Sequence, residues 1–261
     1  FFLVSDISLL ELSDTNSPLL KELSDKAPGT FHHSLQVANL SEACANEINA
    51  NALLTRVGAL YHDIGKIKKP NFFSENQKVS ISPHDELSPE DSSKIIIAHV
   101  INGISLGKKN KLPDRVIDFI RTHHGTSKVY FFYKKQIELN PNSNVKNFIY
   151  PGPKPFSKET SIVMMADSIE AASKSLKEPS FEILEEFVHR IINQQMDEGQ
   201  FINSNITFSE IEAVKKKFLL IDKKAFKTFP GSCVKFILFL DIYIITRFFE
   251  YYLFSLFFIF I

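Results

Sequence analysis

The sequence predicts an all-α fold, a single helical domain with no sheet. Apolar residues recur at helical spacing at Leu35, Ala38, Ala45 and Ile48, and again at Leu53, Val57, Leu60 and Ile64. Helix starts carry capping signals. Ser88-Pro89-Glu90-Asp91 places a hydroxyl cap, then proline at the first helical position, then an acid able to return a hydrogen bond to the cap. No run alternates with period two for long enough to argue for a strand.

In chain order, residues 1–30 read as a lead-in segment and first helix, and residues 31–222 as the main domain. The stripes from Phe31 and Leu53 give its first two helices. Pro89 opens a helix that runs through His99, and Pro113 opens the one carrying Val116, Ile117 and Ile120. From Lys134 to Pro155, four prolines and several asparagines predict a long surface loop. Ile162 to Ala166 is an apolar helical run that leads into Asp167. Phe181, Leu184, Val188, Ile191 and Ile192 form a further stripe, with Gly199 just beyond its end. Thr207 with Glu210 repeats the capping pattern.

Residues 223–261 differ in kind: ten of the 25 phenylalanines fall between Phe226 and Ile261. Two readings stand. The run is long enough for a membrane span, but Asp241, Arg247 and Glu250 interrupt it. The other reading is an aberrant apolar tail, such as out-of-frame translation produces, that is no part of the fold.

Composition narrows the function. Thirty Lys plus Arg balance 30 Asp plus Glu, so no basic field gathers duplex nucleic acid. Two cysteines, Cys44 and Cys233, exclude a disulfide scaffold and a thiolate zinc site. All eight histidines lie between His32 and His189. His33 precedes His62-Asp63 by 29 residues, His99 follows Asp63 by 36, His123-His124 begins 24 further on, and Asp167 follows His124 by 43. Each thus falls on or beside a different helix. A lone histidine on a helix is ordinarily a satisfied core or surface group, and His32 competes with His33 for one position. His84 and His189 read as structural. Asp167 is different, because a carboxylate in an apolar helix is expensive to bury without a cation. The set as a whole points to metal.

The order His, His-Asp, His, His-His, Asp resembles the HD-domain metal-dependent phosphohydrolases. More closely, PGTFHHSLQVANL, ALYHDIGKIKKP, SPHDELSPE, DFIRTHHGTS, YPGPKPFSKET and MMADSIEAA resemble the cytoplasmic HD domain of the PgpH-type seven-transmembrane cyclic di-AMP phosphodiesterases, from about Leu9 to about Leu220. The resemblance implies an HD-domain helical bundle with a dinuclear centre. His33, His62, Asp63 and Asp167 would hold one divalent ion and Asp63, His99, His123 and His124 the other, with Asp63 bridging. Five imidazoles and two carboxylates suit Fe or Mn. It also implies hydrolysis of a cyclic dinucleotide, cyclic di-AMP to linear pApA, by a bridging hydroxide, in the cytoplasmic domain of a bacterial inner-membrane protein whose anchoring N-terminal region is missing here. The Gly-Tyr-Pro triplet of the related HD-GYP enzymes is absent.

Asp63 and Lys66 are the catalytic candidates, Lys66 being placed to meet a phosphate oxygen or the leaving group. Tyr130 and Tyr133 offer stacking surfaces, and Arg121 and Lys128 flank the His-His turn where a second phosphate would lie. A mononuclear HD nucleotide phosphohydrolase, which would leave His99, His123 and His124 without a task, and a silent nucleotide-binding HD module are the alternatives.

Overall fold

The computed structural model describes residues 5–77, 82–174, 176 and 180–228, with side chains described as far as Ile221. Ten α-helices follow one another: α1 Asp6–Ser13, α2 Pro18–Lys26, α3 Pro28–Glu47, α4 Ala52–Tyr61, α5 Pro89–Lys109, α6 Asp114–Thr122, α7 Tyr130–Leu139, α8 Lys158–Ser173, α9 Phe181–Asp197 and α10 Phe208–Thr228. Short 3-10 turns link them, including Ile64–Lys68 and Val145–Phe148. The described residues contain no strand, only an isolated bridge between Lys128 and Ile149. The all-α expectation holds.

Local chemistry accounts for the helix ends. Ser88 Oγ accepts the Asp91 N–H at 3.1 Å with Pro89 opening α5, and Thr207 and Glu210 bond reciprocally at the start of α10. Gly199 takes φ +63° just past α9, a left-handed conformation in which a residue with a Cβ is strained. Pro113 caps α6 from one residue before its first turn. Beyond residue 222, the backbone of α10 continues to Thr228, and the rest of the apolar tail lies outside the described residues. Among the described residues no helix is long and apolar enough to cross a membrane.

The expected loop from Lys134 to Pro155 is corrected. Its first six residues complete α7, and Val145–Phe148 forms a 3-10 turn. Buried Phe132, Phe148 and Tyr150 fasten the segment, and the Val129 N–H donates to the Phe148 carbonyl at 2.8 Å. A few aromatic side chains outweigh a polar composition.

α3 lies at the centre, packed against α2, α4, α8 and α10. Its buried Val37, Ala38, Leu40, Cys44 and Ala45 join Leu54, Val57 and Leu60 of α4 and Ile162 to Ala166 of α8. α8 is buried all round from Thr160 to Asp167, as a helix threaded through a core must be. The lead-in belongs to this core too, and it holds two helices. Leu9, Leu19, Leu20 and Leu23 are buried, a transfer gain on the order of 6–12 kcal/mol before ordering entropy is set against it. Tyr61, at the end of α4, is buried, and its hydroxyl donates to the Leu12 carbonyl at 3.1 Å and bonds Ser17 Oγ at 3.0 Å.

Two glycines set the distance between α5 and the turn after α4. A Cβ on Gly65 would stand 1.8 Å from the His99 carbonyl oxygen and 2.6 Å from the Gly103 nitrogen. Gly65→Ala must therefore push α5 away. Overpacking of this kind costs about 1–3 kcal/mol, so the thermal midpoint is expected to fall by about 2–12 °C. A calorimetric scan checks this, and an unshifted midpoint would show that the turn does not rest on α5 so closely.

Candidate metal centre

α4 ends at Tyr61, and the chain turns at once into the 3-10 segment Ile64–Lys68, so His62 and Asp63 sit on a bend and project together into the core. His33 enters from α3, His99 from the middle of α5, His123 and His124 from the end of α6, and Asp167 from α8. His33, His62, Asp63 and Asp167 bring ligand atoms within 4.8 Å of one another, and so do His99, His123 and His124. His32, by contrast, is exposed.

The Asp63 carboxylate stands between the two groups. Its Oδ1 lies 3.3 Å from His99 Nε2 and 3.5 Å from His123 Nε2. Its Oδ2 lies 3.3 Å from His62 Nε2 and 3.7 Å from His33 Nε2. His124 is stacked on Tyr150 with centroids 4.2 Å apart, and its Nδ1 lies 3.7 Å from Asp167 Oδ2.

Backbone carbonyls fix the tautomers. The Nδ1–H groups of His62, His99 and His123 donate to Ala59, Ile96 and Ile120 at 2.6, 2.5 and 2.9 Å, which leaves each Nε2 facing inward. Metal-binding imidazoles are ordinarily oriented by such a bond to the nitrogen that faces away from the metal. His33 is held by carboxylates instead, Glu170 at Nδ1 and Asp167 at Nε2, the latter at 2.9 Å. His62 Nε2 and Asp63 Oδ1 are buried with no hydrogen-bond partner. Buried polar atoms are rarely left so, and a cation is the partner that would satisfy both a lone pair and a carboxylate.

The electrostatics also suit a cation at this place. Burial works to raise the Asp63 and Asp167 carboxyls, yet both are held well below the usual range, Asp63 by the charges of Lys66 and His62, Asp167 by its hydrogen bond with His33 and by the nearby His62. Burial likewise opposes charge on His62, but the two carboxylates hold it up at about 10. Burial pulls His99 down to about 3 and His124 well below its ordinary value, so both are neutral imidazoles, the form that ligates metal. The chemistry of the cluster thus fits a divalent metal ion.

The remaining expected residues are spread around it. Lys66 Nζ lies 2.7 Å from Asp63 Oδ2 and 2.9 Å from Glu75 Oε1, over the Phe73 ring. Lys128 and Tyr130 line a cavity of about 190 Å³ that shares a wall with His123 and His124. Tyr133 packs against Phe148, and Arg121 pairs with Asp118 and lies over Phe156. Sequence reading missed Glu170, Glu75 and Tyr150. Glu170 had a usable signal, because it follows Asp167 by three residues on one helix face.

The geometry can now be set beside known proteins. Residues 30–172, more than half of the chain, match the HD domain family. The chain belongs to the HD-domain family. Relatives of this HD domain include the cyclic-di-AMP phosphodiesterase PgpH of Bacillus subtilis (strain 168), 46% identical over 216 residues, covering 83% of this chain and 30% of that protein. PgpH of Listeria monocytogenes (serotype 1/2a, strain 10403S) is 46% identical over 215 residues, 82% of this chain and 30% of that protein. This HD-domain chain therefore spans about 30% of the length of these curated relatives. Among solved structures, the L. monocytogenes PgpH HD domain in complex with cyclic-di-AMP matches with a TM-score of 0.79 at 44% identity, covering 81% of this chain and 99% of that one.

Glu170 fixes His33 from behind, so Glu170→Ala is expected to weaken divalent-metal binding about 10- to 100-fold. Titration of Mn against a competing chelator measures this, with circular dichroism confirming the fold. Undiminished affinity would show that His33 needs no such support.

Proposed function

We propose that the chain is a metal-dependent phosphodiesterase that hydrolyses cyclic di-AMP to linear pApA. The observation that carries this reading is the position of Asp63, whose two oxygens face two separate groups of ligand atoms. A mononuclear hydrolase would use only the first group and leave His99, His123 and His124 without work. The likeness to PgpH proteins and to an HD domain in complex with cyclic-di-AMP supports the substrate.

His33, His62, Asp63 and Asp167 would hold one ion and Asp63, His99, His123 and His124 a second, and this nitrogen-rich set suits Fe or Mn. Such a pair supplies activation of water and neutralisation of charge on the phosphate. The chain's own residues do the rest. Lys66, kept charged by Asp63 and Glu75, holds a cation at the edge of the centre where a nonbridging phosphate oxygen arrives. Lys128, on the cavity wall beside His124, is better placed for the second phosphate than Arg121, which is engaged with Asp118. Tyr130, exposed beside the same cavity, is the stacking surface, whereas Tyr133 is taken up by Phe148.

The working unit on this reading is residues 31–222 with the lead-in helices packed upon it. The resemblance to the cytoplasmic part of seven-transmembrane proteins supports a place on the cytoplasmic face of a bacterial inner membrane, in a longer membrane-anchored protein.

Loaded with Mn or Fe, the chain is expected to bind two ions and to convert cyclic di-AMP to the linear dinucleotide, followed by liquid chromatography. Asp63→Ala is expected to abolish turnover. His123→Ala is expected to reduce the stoichiometry from two ions to one. A wild-type chain that is folded and metal-loaded but leaves cyclic di-AMP intact would end the proposal, and a single ion per chain would favour the mononuclear alternative.

A further inference from the structure

We infer that the cavity beside His124 receives one adenine ring of the substrate and that Gln195 of α9 reads its exocyclic amine. This rests on the phosphodiesterase reading above. The cavity, about 190 Å³, is smaller than the roughly 300–1,000 Å³ that encloses a drug-sized ligand, so it suits one ring system rather than a whole dinucleotide. His123 and His124 form its inner wall, so a base seated here has its phosphate beside the metal ligands.

The other walls are those a purine needs. Met164 and Ile191 supply apolar surface. The Tyr130 ring is exposed, yet it is not loose: its hydroxyl donates to Glu198 Oε1 at 2.7 Å, which holds the ring as a flat wall. Lys128 Nζ lies 5.7 Å from the centroid of that ring.

Gln195 decides the specificity. It lines the cavity and is 7% exposed. Its amide N–H groups donate to Ser168 Oγ at 2.8 Å and the Met164 carbonyl at 3.4 Å, which fixes the orientation of the amide. Its Oε1 is buried with no hydrogen-bond partner. An orphan acceptor in the wall of a cavity calls for a donor in the ligand. A 6-amino purine brings two N–H bonds on that edge, whereas a 6-oxo purine sets oxygen against oxygen. Nothing in the periodicity of α9 distinguishes this glutamine from a solvated one, since its function depends on what α8 places beside it.

The test uses the full chain loaded with Mn and three substrates: cyclic di-AMP, cyclic di-GMP and bis(p-nitrophenyl) phosphate, a diester with no base. Gln195→Met keeps length and bulk but removes the acceptor. It is expected to lower kcat/KM on cyclic di-AMP about tenfold relative to the base-free diester, chiefly through KM, and to narrow the preference over cyclic di-GMP. Tyr130→Ala, at an exposed position that the fold tolerates, is expected to raise KM for both cyclic dinucleotides about tenfold. Unchanged KM values in both variants, with an active wild type, would overturn the base pocket alone, as would a wild type that prefers cyclic di-GMP. A wild type that cleaves the base-free diester but neither cyclic dinucleotide would overturn the functional reading and the pocket with it.

Discussion

One carboxylate governs this structure. Asp63 is buried among imidazoles from α3, α4, α5 and α6, and a bare carboxylate in such a place is tolerated only with positive charge around it. Lys66 supplies one such charge from three residues away and is in turn steadied by Glu75, which also accepts the Thr30 hydroxyl at 2.9 Å. The rest must come from protons on histidine or from metal. The architecture follows from this need. Four helices have to end, bend or cross within a few ångströms of one point, and His62, His99 and His123 arrive with the outer nitrogen already bonded to a backbone carbonyl so that the inner one faces the cluster.

Much of the helical framework was legible in the residues. Ser88, Thr207 and Gly199 mark helix ends through local chemistry, and local chemistry is what a sequence displays. The stretch after Lys134 was misread because its polar composition concealed Phe148 and Tyr150, which are buried against residues outside the stretch. Pattern shows whether a segment is apolar, but not whether two aromatic side chains in a polar stretch will find a core to enter.

The site divides along the same line. The five histidines and two aspartates stood out by type and order, and the structure brings all seven together at one place. Their supports did not stand out. Glu75 lies in a short 3-10 turn without periodicity, and Tyr150 lies in the misread segment, yet one steadies Lys66 and the other stacks on His124. Residues that hold other residues carry no signature of their own, because their task is set by whichever neighbour the fold delivers. The choice between His32 and His33 is another case, settled by which side of α3 faces inward.

The buried Tyr61 hydroxyl joins the lead-in helices to the last residue of α4, immediately before His62. His62 and the lead-in helices are thus linked through one peptide bond and one phenol. The Tyr61 phenol thereby ties the placement of α1 and α2 to the bend that presents His62 and Asp63.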